Sequence, residues 1–291
     1  MSKVIKLVGS ACLLGALLAS PMALGQVTVT QKWDFDTEPT DLIISGNNDT
    51  PWLPEGGNPD SGGFMAMTYS EGSQNVTVLF PDPSEGQGDN EIIESFTFTC
   101  DLRVGNGSTD RPADGFSVSV ARDSDPLLAD PENVATGDFA GGIPEGGSTT
   151  GIAVSFDTWA GNALPDGADI EGIIVRVDNK TILRESLPTR HGACDDVTSL
   201  QTGPRDADYW ANAGDPRDPE VWQDLCWQPF GIAVTRDGAV TVDWKGNKIL
   251  DAFPTDWFAT KGQVIFAGRT GGSNESTHVD NLSLTATLVP A

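Results

Sequence analysis

One segment of the chain carries oxygen-bearing residues directly after a strand-like run, an arrangement that can bind a hard metal ion. In the run GIAVSFDTW (151–159), period-two alternation places Asp157 on the face opposite to Val154 and Phe156. The candidate ligands are the side chains of Asp157, Asn162 and Asp166 and the backbone carbonyl of Trp159. Ca²⁺ accepts six to eight oxygen ligands in a flexible geometry, so this pattern favours calcium. The alternative is ordinary Asp/Asn loop sequence in a very acidic protein.

A second carboxylate that could bind a ligand is Asp114, in the run RPADGFSV (111–118). It stands directly before an alternating stretch, so we expect it at the rim of a sheet, where a ligand can reach it. The alternative is that Asp114 hydrogen-bonds to its own turn, as Asp commonly does. A soft-metal site is not expected, because the two histidines, His191 and His278, are far apart in the sequence.

Period-two alternation dominates the rest of the chain and predicts an all-β protein. The predicted strands are residues 27–35, 64–68, 76–80, 92–104, 115–122, 151–157, 172–177, 230–236, 239–244, 248–252, 263–269 and 278–288. Clusters of Gly, Pro, Asn and Asp separate these runs, and such residues form turns. Many short strands without an internal repeat favour a single antiparallel jelly-roll sandwich of two sheets.

The stretch 187–227 does not fit this pattern, because it is rich in Asp, Pro, Trp and Gly. We interpret it as a long insertion, which is either functional or a stabilising flap. Within it, Asp218 as N-cap and Pro219 at the first position predict a short helix that runs to about residue 225. Cys194 and Cys226 lie in irregular sequence and are predicted to form a disulfide, whereas Cys100 lies in an alternating run and is predicted to be a buried free thiol.

The charge balance excludes two classes of partner. The chain has 42 acidic against 17 basic residues and a formal net charge of -25. A phosphate backbone or an anionic lipid surface would be repelled by such a chain, so neither nucleic-acid binding nor docking on anionic membranes is expected.

The N-terminal residues 1–25 have the features of an export signal. Lys3 and Lys6 precede a short apolar stretch, and the small residue Gly25 suits cleavage by signal peptidase, which would leave residues 26–291 as one domain. The alternative is a membrane anchor, but the apolar stretch is short for a membrane span, so no membrane insertion is expected. We therefore predict a secreted, cell-surface or periplasmic protein, in which a disulfide can persist.

Three motifs, taken in order, resemble the concanavalin A-like lectin/glucanase superfamily, nearest to the L-type (legume-type) lectins. They are ADGF (113–116), IAVSFDTW (152–159) and the TGG turn (270–272) before the last strand. The resemblance covers about residues 33–288. It implies a jelly-roll sandwich whose partner is a glycan or polysaccharide.

The resemblance also implies roles for individual residues. In that family the Ala-Asp-Gly aspartate contacts the sugar, often after a cis peptide, which would here be Ala113–Asp114. The Phe-Asp-Thr aspartate binds Ca²⁺ together with a carbonyl two residues on and a later Asn and Asp, which supports the calcium ligands named above. The implied sugar-binding candidates are Asp114, Asn162 and the amide of Gly146 or, preferably, Gly147; Trp159 and Trp210 are candidate stacking platforms.

Two departures from the family bear on function. The family's transition-metal site uses a Glu where this chain has Ser155, and a His near where it has Glu171. The related glycoside hydrolases carry Glu-x-Asp-x-Glu on one strand, but Ser155 and Trp159 stand at the outer positions here, so their two-carboxylate mechanism is not expected. The sequence thus predicts a non-catalytic carbohydrate-binding protein with a calcium site. The alternative is a structural or adhesive surface module without a sugar site; a glycan-degrading enzyme is the least favoured reading.

Overall fold

A computed structural model describes residues 25–59, 62–88, 90–107, 111–130, 138–161, 169–190, 192–203 and 215–291. In these ranges the strands are β1 (Val27–Trp33), β2 (Ile43–Gly46), β3 (Trp52–Leu53), β4 (Phe64–Thr68), β5 (Asn75–Leu79), β6 (Glu91–Gly105), β7 (Gly115–Arg122), β8 (Ile152–Asp157), β9 (Gly172–Val177), β10 (Lys180–Ser186), β11 (Gln228–Val234), β12 (Ala239–Trp244), β13 (Asn247–Pro254), β14 (Gly262–Arg269) and β15 (Ser276–Pro290). The helical elements are α1 (Pro219–Trp222) and three 3₁₀ turns, Pro126–Leu128, Ala140–Gly142 and Pro144–Gly146.

The strands form two antiparallel sheets. The eight-stranded sheet has the order β13-β12-β11-β6-β15-β4-β3, and β1 also pairs with β15. The seven-stranded sheet has the order β10-β9-β8-β7-β14-β5-β2. Strands that are neighbours in a sheet are often distant in sequence, as in a jelly roll. The predicted all-β, two-sheet sandwich is confirmed.

The main core lies between the two sheets and follows directly from the alternating sequence. Phe98 and Cys100 of β6 face Val154 and Phe156 of β8 within one cluster of buried side chains. The rings of Phe116 and Phe156 stack with their centroids 4.4 Å apart. Full burial of an aromatic or aliphatic side chain of this size contributes about 1.5–3 kcal/mol to the free energy of folding. The burial of this layer therefore offsets the cost of burying polar groups at the ends of the sandwich.

The described parts of the insertion 187–227 pack onto the eight-stranded sheet. Val221, Trp222 and Leu225 cover Phe64 and Ala66 on the face of β4 that points away from the main core. The predicted helix is shorter than expected, because α1 ends at Trp222 and the chain then turns to bury Leu225. Asp218 is the N-cap and Pro219 the first helical residue, as predicted, but the Asp218 side chain makes no capping hydrogen bond in α1.

Two covalent and polar ties hold the insertion. Cys194 and Cys226 form a disulfide across 32 residues, with their Cα atoms 5.6 Å apart, while Cys100 is a buried free thiol. The Lys245 ammonium, in the β12–β13 turn, donates to the carbonyls of Asp196 (2.8 Å) and Gln201 (2.6 Å). The insertion is therefore attached to the sandwich at several points. Among the described residues, no helix has the length and apolar character needed to cross a bilayer.

We predict that reduction of the Cys194–Cys226 disulfide lowers the free energy of unfolding by about 2–4 kcal/mol, because the bridge restricts the unfolded chain. Urea unfolding with and without reductant measures this loss. The double variant Cys194→Ser/Cys226→Ser is the control, and its stability should not respond to reductant. An equal response of both proteins would show that the bridge does not stabilise the fold.

Candidate functional site

The register of β7 and β8 brings Asp114 and Asp157 together at one end of the sandwich. Gly115 pairs with Asp157 across these strands, and the residue before Gly115 is Asp114. The Ala113–Asp114 peptide is cis, as the resemblance implies. The Asp114 amide donates to the carbonyl of Arg269 (3.2 Å), and the Thr158 amide donates to the carbonyl of Asp114 (3.1 Å). Three neighbouring strands thus hold the backbone of Asp114 in place.

The carboxylate of Asp114 is nearly buried and only partly paired. Its residue is 8% exposed, and Oδ1 lies 3.5 Å from Nη2 of Arg269. Within the described ranges, Oδ2 is buried without a hydrogen-bond donor. A Cβ at Gly271 would stand 2.9 Å from that Oδ2, so glycine permits the close approach of the turn that follows β14. Burial raises the pKa of the Asp114 carboxyl, and the Arg269 guanidinium opposes this rise.

Asp157 is paired with Asp169 in the predicted metal segment. Asp157 is fully buried; its Oδ1 accepts from the Trp159 amide (3.1 Å). Asp169 accepts from the Gly161 amide. Burial raises the pKa of Asp157 far above its usual range, and the adjacent Asp169 carboxyl raises it further. One oxygen of each carboxylate, Oδ2 of Asp157 and Oδ1 of Asp169, is buried and has no donor in the described part of the chain.

Two of the other predicted calcium ligands belong to the loop after β8. Asn162 and Asp166 lie outside the described residues. Among the residues that are described, no group of three or more His, Cys, Asp or Glu side chains is arranged to hold a metal ion. The pair of Asp157 and Asp169 is therefore the described portion of the candidate site. Motif spacing did not single out Asp169 as the neighbour of Asp157, because spacing alone does not determine the path of a loop.

Of the two candidate stacking residues, Trp159 has one ring face covered by an arginine. Trp159 is half-buried, and the Arg111 guanidinium lies 3.8 Å from its ring centroid, which covers one ring face. Arg111 also forms an ion pair with Glu171 (2.7 Å) and donates to the carbonyl of Ala160 (3.2 Å). Only the other face of Trp159 could stack against a ligand. Trp210 lies outside the described residues.

Gly147 has a structural role in the loop that covers the outer face of the seven-stranded sheet. Its φ is +70°, and a Cβ there would stand 2.8 Å from Oγ of Ser119, so only glycine fits. Its amide donates to the carbonyl of Pro144 (3.0 Å), and the amide of Gly146 donates to Ile143 (2.8 Å). In this conformation neither amide is available to a sugar.

The same loop carries Glu145, a residue that the sequence did not single out. Glu145 is 1% exposed, and both of its oxygens accept from Arg269 at the end of β14. The Nε–Oε2 and Nη2–Oε1 distances are 2.7 and 2.6 Å. Glu145 and Arg269 are 124 positions apart in the sequence, so no local motif predicts that they form a pair. Arg269 thereby links the loop before β8 to Asp114.

Glu275 is a second buried carboxylate that the sequence did not identify. It is fully buried just before β15, where its oxygens accept from Oγ1 of Thr158 (2.7 Å) and from Nε2 of Gln201 (3.1 Å). Burial raises the pKa of Glu275 to about 7, and the two hydrogen bonds oppose this rise. Glu275 thus connects the insertion to the residue that follows Asp157.

The positions at which the resemblance implies a transition-metal site have other contacts here. Ser155 is buried, and its hydroxyl accepts from Nη2 of Arg176 (3.4 Å). Glu171 accepts from Arg190 (2.7 Å) as well as from Arg111. Glu171 is thus the centre of an ion-pair network with Arg111 and Arg190, and neither Ser155 nor Glu171 is a His or Cys ligand.

We predict that Glu275 makes stability depend on pH. Because its pKa is raised in the folded state, its contribution is fully present below its ordinary pKa of about 4.5 and is lost as the pH rises through about 7. The loss is on the order of 3 kcal/mol. Urea unfolding between these pH values should show a shallower pH dependence in Glu275→Gln than in the wild type. Glu85→Gln, at an exposed site, is the control and should keep the wild-type dependence.

Comparisons with known proteins give a fold but no close relative. No family model matches the chain, and no curated protein is similar to it. The seed lectin of Lotus tetragonolobus has a TM-score of 0.55 at 15% identity, over 90% of this chain and 100% of that chain. Basic winged bean lectin with Tn-antigen has a TM-score of 0.51 at 15% identity, over 90% and 99%. The exoplasmic/lumenal domain of VIP36, in a Ca²⁺- and Man2-bound form, has a TM-score of 0.46 at 13% identity, over 90% and 87%.

At such low sequence identity, structural similarity shows a shared fold and nothing more. The strand order of the two sheets and the similarity to the legume lectin structures both indicate a two-sheet jelly roll. The chain therefore has the concanavalin A-like jelly-roll fold of the L-type lectins.

Proposed function

We propose that this protein is an exported, non-catalytic lectin that binds a glycan at the rim of the sandwich, next to a calcium ion. The observation that carries the proposal is the incomplete pairing of three aspartates at one end of the sandwich, Asp114, Asp157 and Asp169. Each of these carboxylates has a buried oxygen that no donor in the described ranges satisfies. Buried acceptors of this kind are costly unless a ligand supplies the missing partner.

Calcium fits the chemistry of the Asp157–Asp169 pair. Two adjacent carboxylates repel each other, and a divalent cation converts this repulsion into attraction. Both residues offer hard oxygen ligands, which Ca²⁺ prefers, and the backbone at Trp159 and the side chains of Asn162 and Asp166 are candidates for the remaining positions. When bound, the ion would fix the loop that follows β8 relative to the strand.

A sugar fits the surroundings of Asp114. An ionised carboxylate is an acceptor only, and sugar hydroxyls can donate to it. The glycine turn after β14 lies against this carboxylate at Gly271, and one residue further on a Cβ at Gly272 would meet nothing within 4 Å. Half-buried Trp159 offers one ring face to the C–H surface of a sugar. The signal-like N-terminus and the disulfide support export, because disulfides persist in oxidising compartments.

A specific observation favours the alternative, a structural or adhesive module that lacks a sugar site. The amides of Gly146 and Gly147 are already hydrogen-bonded, and Arg111 covers one face of Trp159. The lectin proposal depends on Asp114 and the turn after β14 for contacts that those amides would otherwise make.

We expect calcium to raise the melting temperature of the wild type. Binding to the native state alone stabilises it by about 2.7 kcal/mol at a hundredfold excess of free ion over Kd. Asp157→Asn and Asp169→Asn should reduce this shift and should raise the melting temperature in EDTA, because each removes one of two facing carboxylates. Asp256→Asn, at an exposed site, should keep the wild-type shift. If calcium leaves the melting temperature of the wild type unchanged, the proposed metal site is wrong.

We expect Asp114→Asn to weaken glycan binding by at least about tenfold, which corresponds to the loss of one charge-assisted hydrogen bond. The measurement is screening on a glycan array followed by titration calorimetry with the best ligand. Asp114→Asn should keep the calcium-induced rise in melting temperature, and Asp256→Asn should keep both properties. Absence of glycan binding by the calcium-loaded wild type would favour the structural module.

A further inference from the structure

We propose that Arg269 contacts the ligand and determines specificity, by donating to a second hydroxyl of the sugar whose first hydroxyl donates to Asp114. This makes the site selective for neutral glycans over uronate- or sulfate-bearing ones. The inference rests on the proposed lectin function and adds to it the chemical class of the ligand.

The contacts of the Arg269 guanidinium divide its donors into two groups. Nε and Nη2 point at the Glu145 carboxylate, and Nη2 is also 3.5 Å from Oδ1 of Asp114. Nη1 makes no hydrogen bond within the described part of the chain, and the side chain is 26% exposed. Because the guanidinium is planar and rigid and Nη2 lies 3.5 Å from Oδ1 of Asp114, the Nη1 donor stays close to the Asp114 carboxylate.

An acceptor and a donor placed side by side match a pair of adjacent hydroxyls. A hydroxyl donates one hydrogen and accepts through its lone pairs, whereas a carboxylate only accepts and a guanidinium only donates. One hydroxyl can therefore donate to Asp114 while its neighbour on the sugar ring accepts from Nη1 of Arg269. Each contact involves a charged group, so each is stronger than a contact between neutral groups.

The same geometry disfavours an anionic sugar. A carboxylate binds arginine best through two parallel hydrogen bonds, and Glu145 already holds the Nε and Nη2 edge in this way. An incoming anion would also face the charges of Glu145 and Asp114 at short range. Glu145 is therefore a positioning residue that holds Arg269 and occupies the edge an anionic ligand would need.

The test compares the calcium-loaded wild type with three variants on an array of immobilised neutral glycosides and of uronate- or sulfate-containing glycans. Arg269→Lys keeps the charge but loses the planar donors, and it should weaken binding to the neutral ligands by about tenfold. Glu145→Gln should raise the ratio of anionic to neutral binding at least fivefold, because it removes the competing carboxylate.

The double variant Glu145→Gln/Arg269→Met removes both members of the buried ion pair, so it does not leave the Glu145 carboxylate buried without a counter-charge. This double variant should bind neutral glycans as weakly as Arg269→Lys does. It should also keep the calcium-induced rise in melting temperature. If Arg269 had only a structural role, that rise would become smaller. Wild-type affinity in Arg269→Lys, or an unchanged binding ratio in Glu145→Gln, would overturn the inference.

The wild type and Asp114→Asn separate the two levels of the proposal. If the wild type binds no glycan, the lectin function and this inference both fail. If binding requires Asp114 but is indifferent to Arg269→Lys, the lectin function stands and only the role of Arg269 is refuted.

Discussion

The burial of carboxylates at one end of the sandwich is the constraint on which the site depends. Asp114, Glu145, Asp157 and Glu275 are each less than a tenth exposed. Removing an ionised carboxylate from water costs several kcal/mol unless a counter-charge and hydrogen bonds replace the lost solvent. The guanidinium of Arg269 serves Glu145 and Asp114, and Thr158 and Gln201 serve Glu275. Asp157 has another carboxylate as its neighbour, so it is the position at which a bound cation changes the energetics most.

Sheet register determines which of these groups meet. Gly115 of β7 pairs with Asp157 of β8 on one side and with Arg269 of β14 on the other, so a single row across three strands carries the centre of the site. A shift of one residue in either pairing would turn the side chains of that strand to the opposite face. The main core resists such a shift, because Phe116 and Phe156 lie next in the same strands and stack inside it. The packing of the core and the alignment of the polar groups are thus consequences of the same register.

The sequence predicted the parts of the molecule that follow a local period. The long alternating strands and the strand-end aspartates Asp114 and Asp157 belong to this group. It missed β10, where the run Thr181, Ile182 and Leu183 interrupts the alternation and the register with β9 shifts. Asp169 and Glu145 were missed for a different reason: both lie on irregular segments, where position depends on the path of the loop and on partners distant in sequence. The comparison structures confirm the fold.

The insertion 187–227 acts as a support for the site as well as a cover for the sheet. From it, Arg190 binds Glu171 at the start of β9, and Gln201 binds Glu275. Glu171 in turn holds Arg111, which stacks on Trp159. Through these contacts the insertion reaches both segments that flank Asp157, the loop after β8 and the turn before β15. Because the Lys245 ammonium fixes the insertion to the sandwich and the disulfide joins two parts of the insertion to each other, its contacts limit how far those segments can move. For the proposed lectin function, a loop held from outside in this way would require less ordering on ligand binding, and a smaller ordering cost leaves more of the contact energy as affinity.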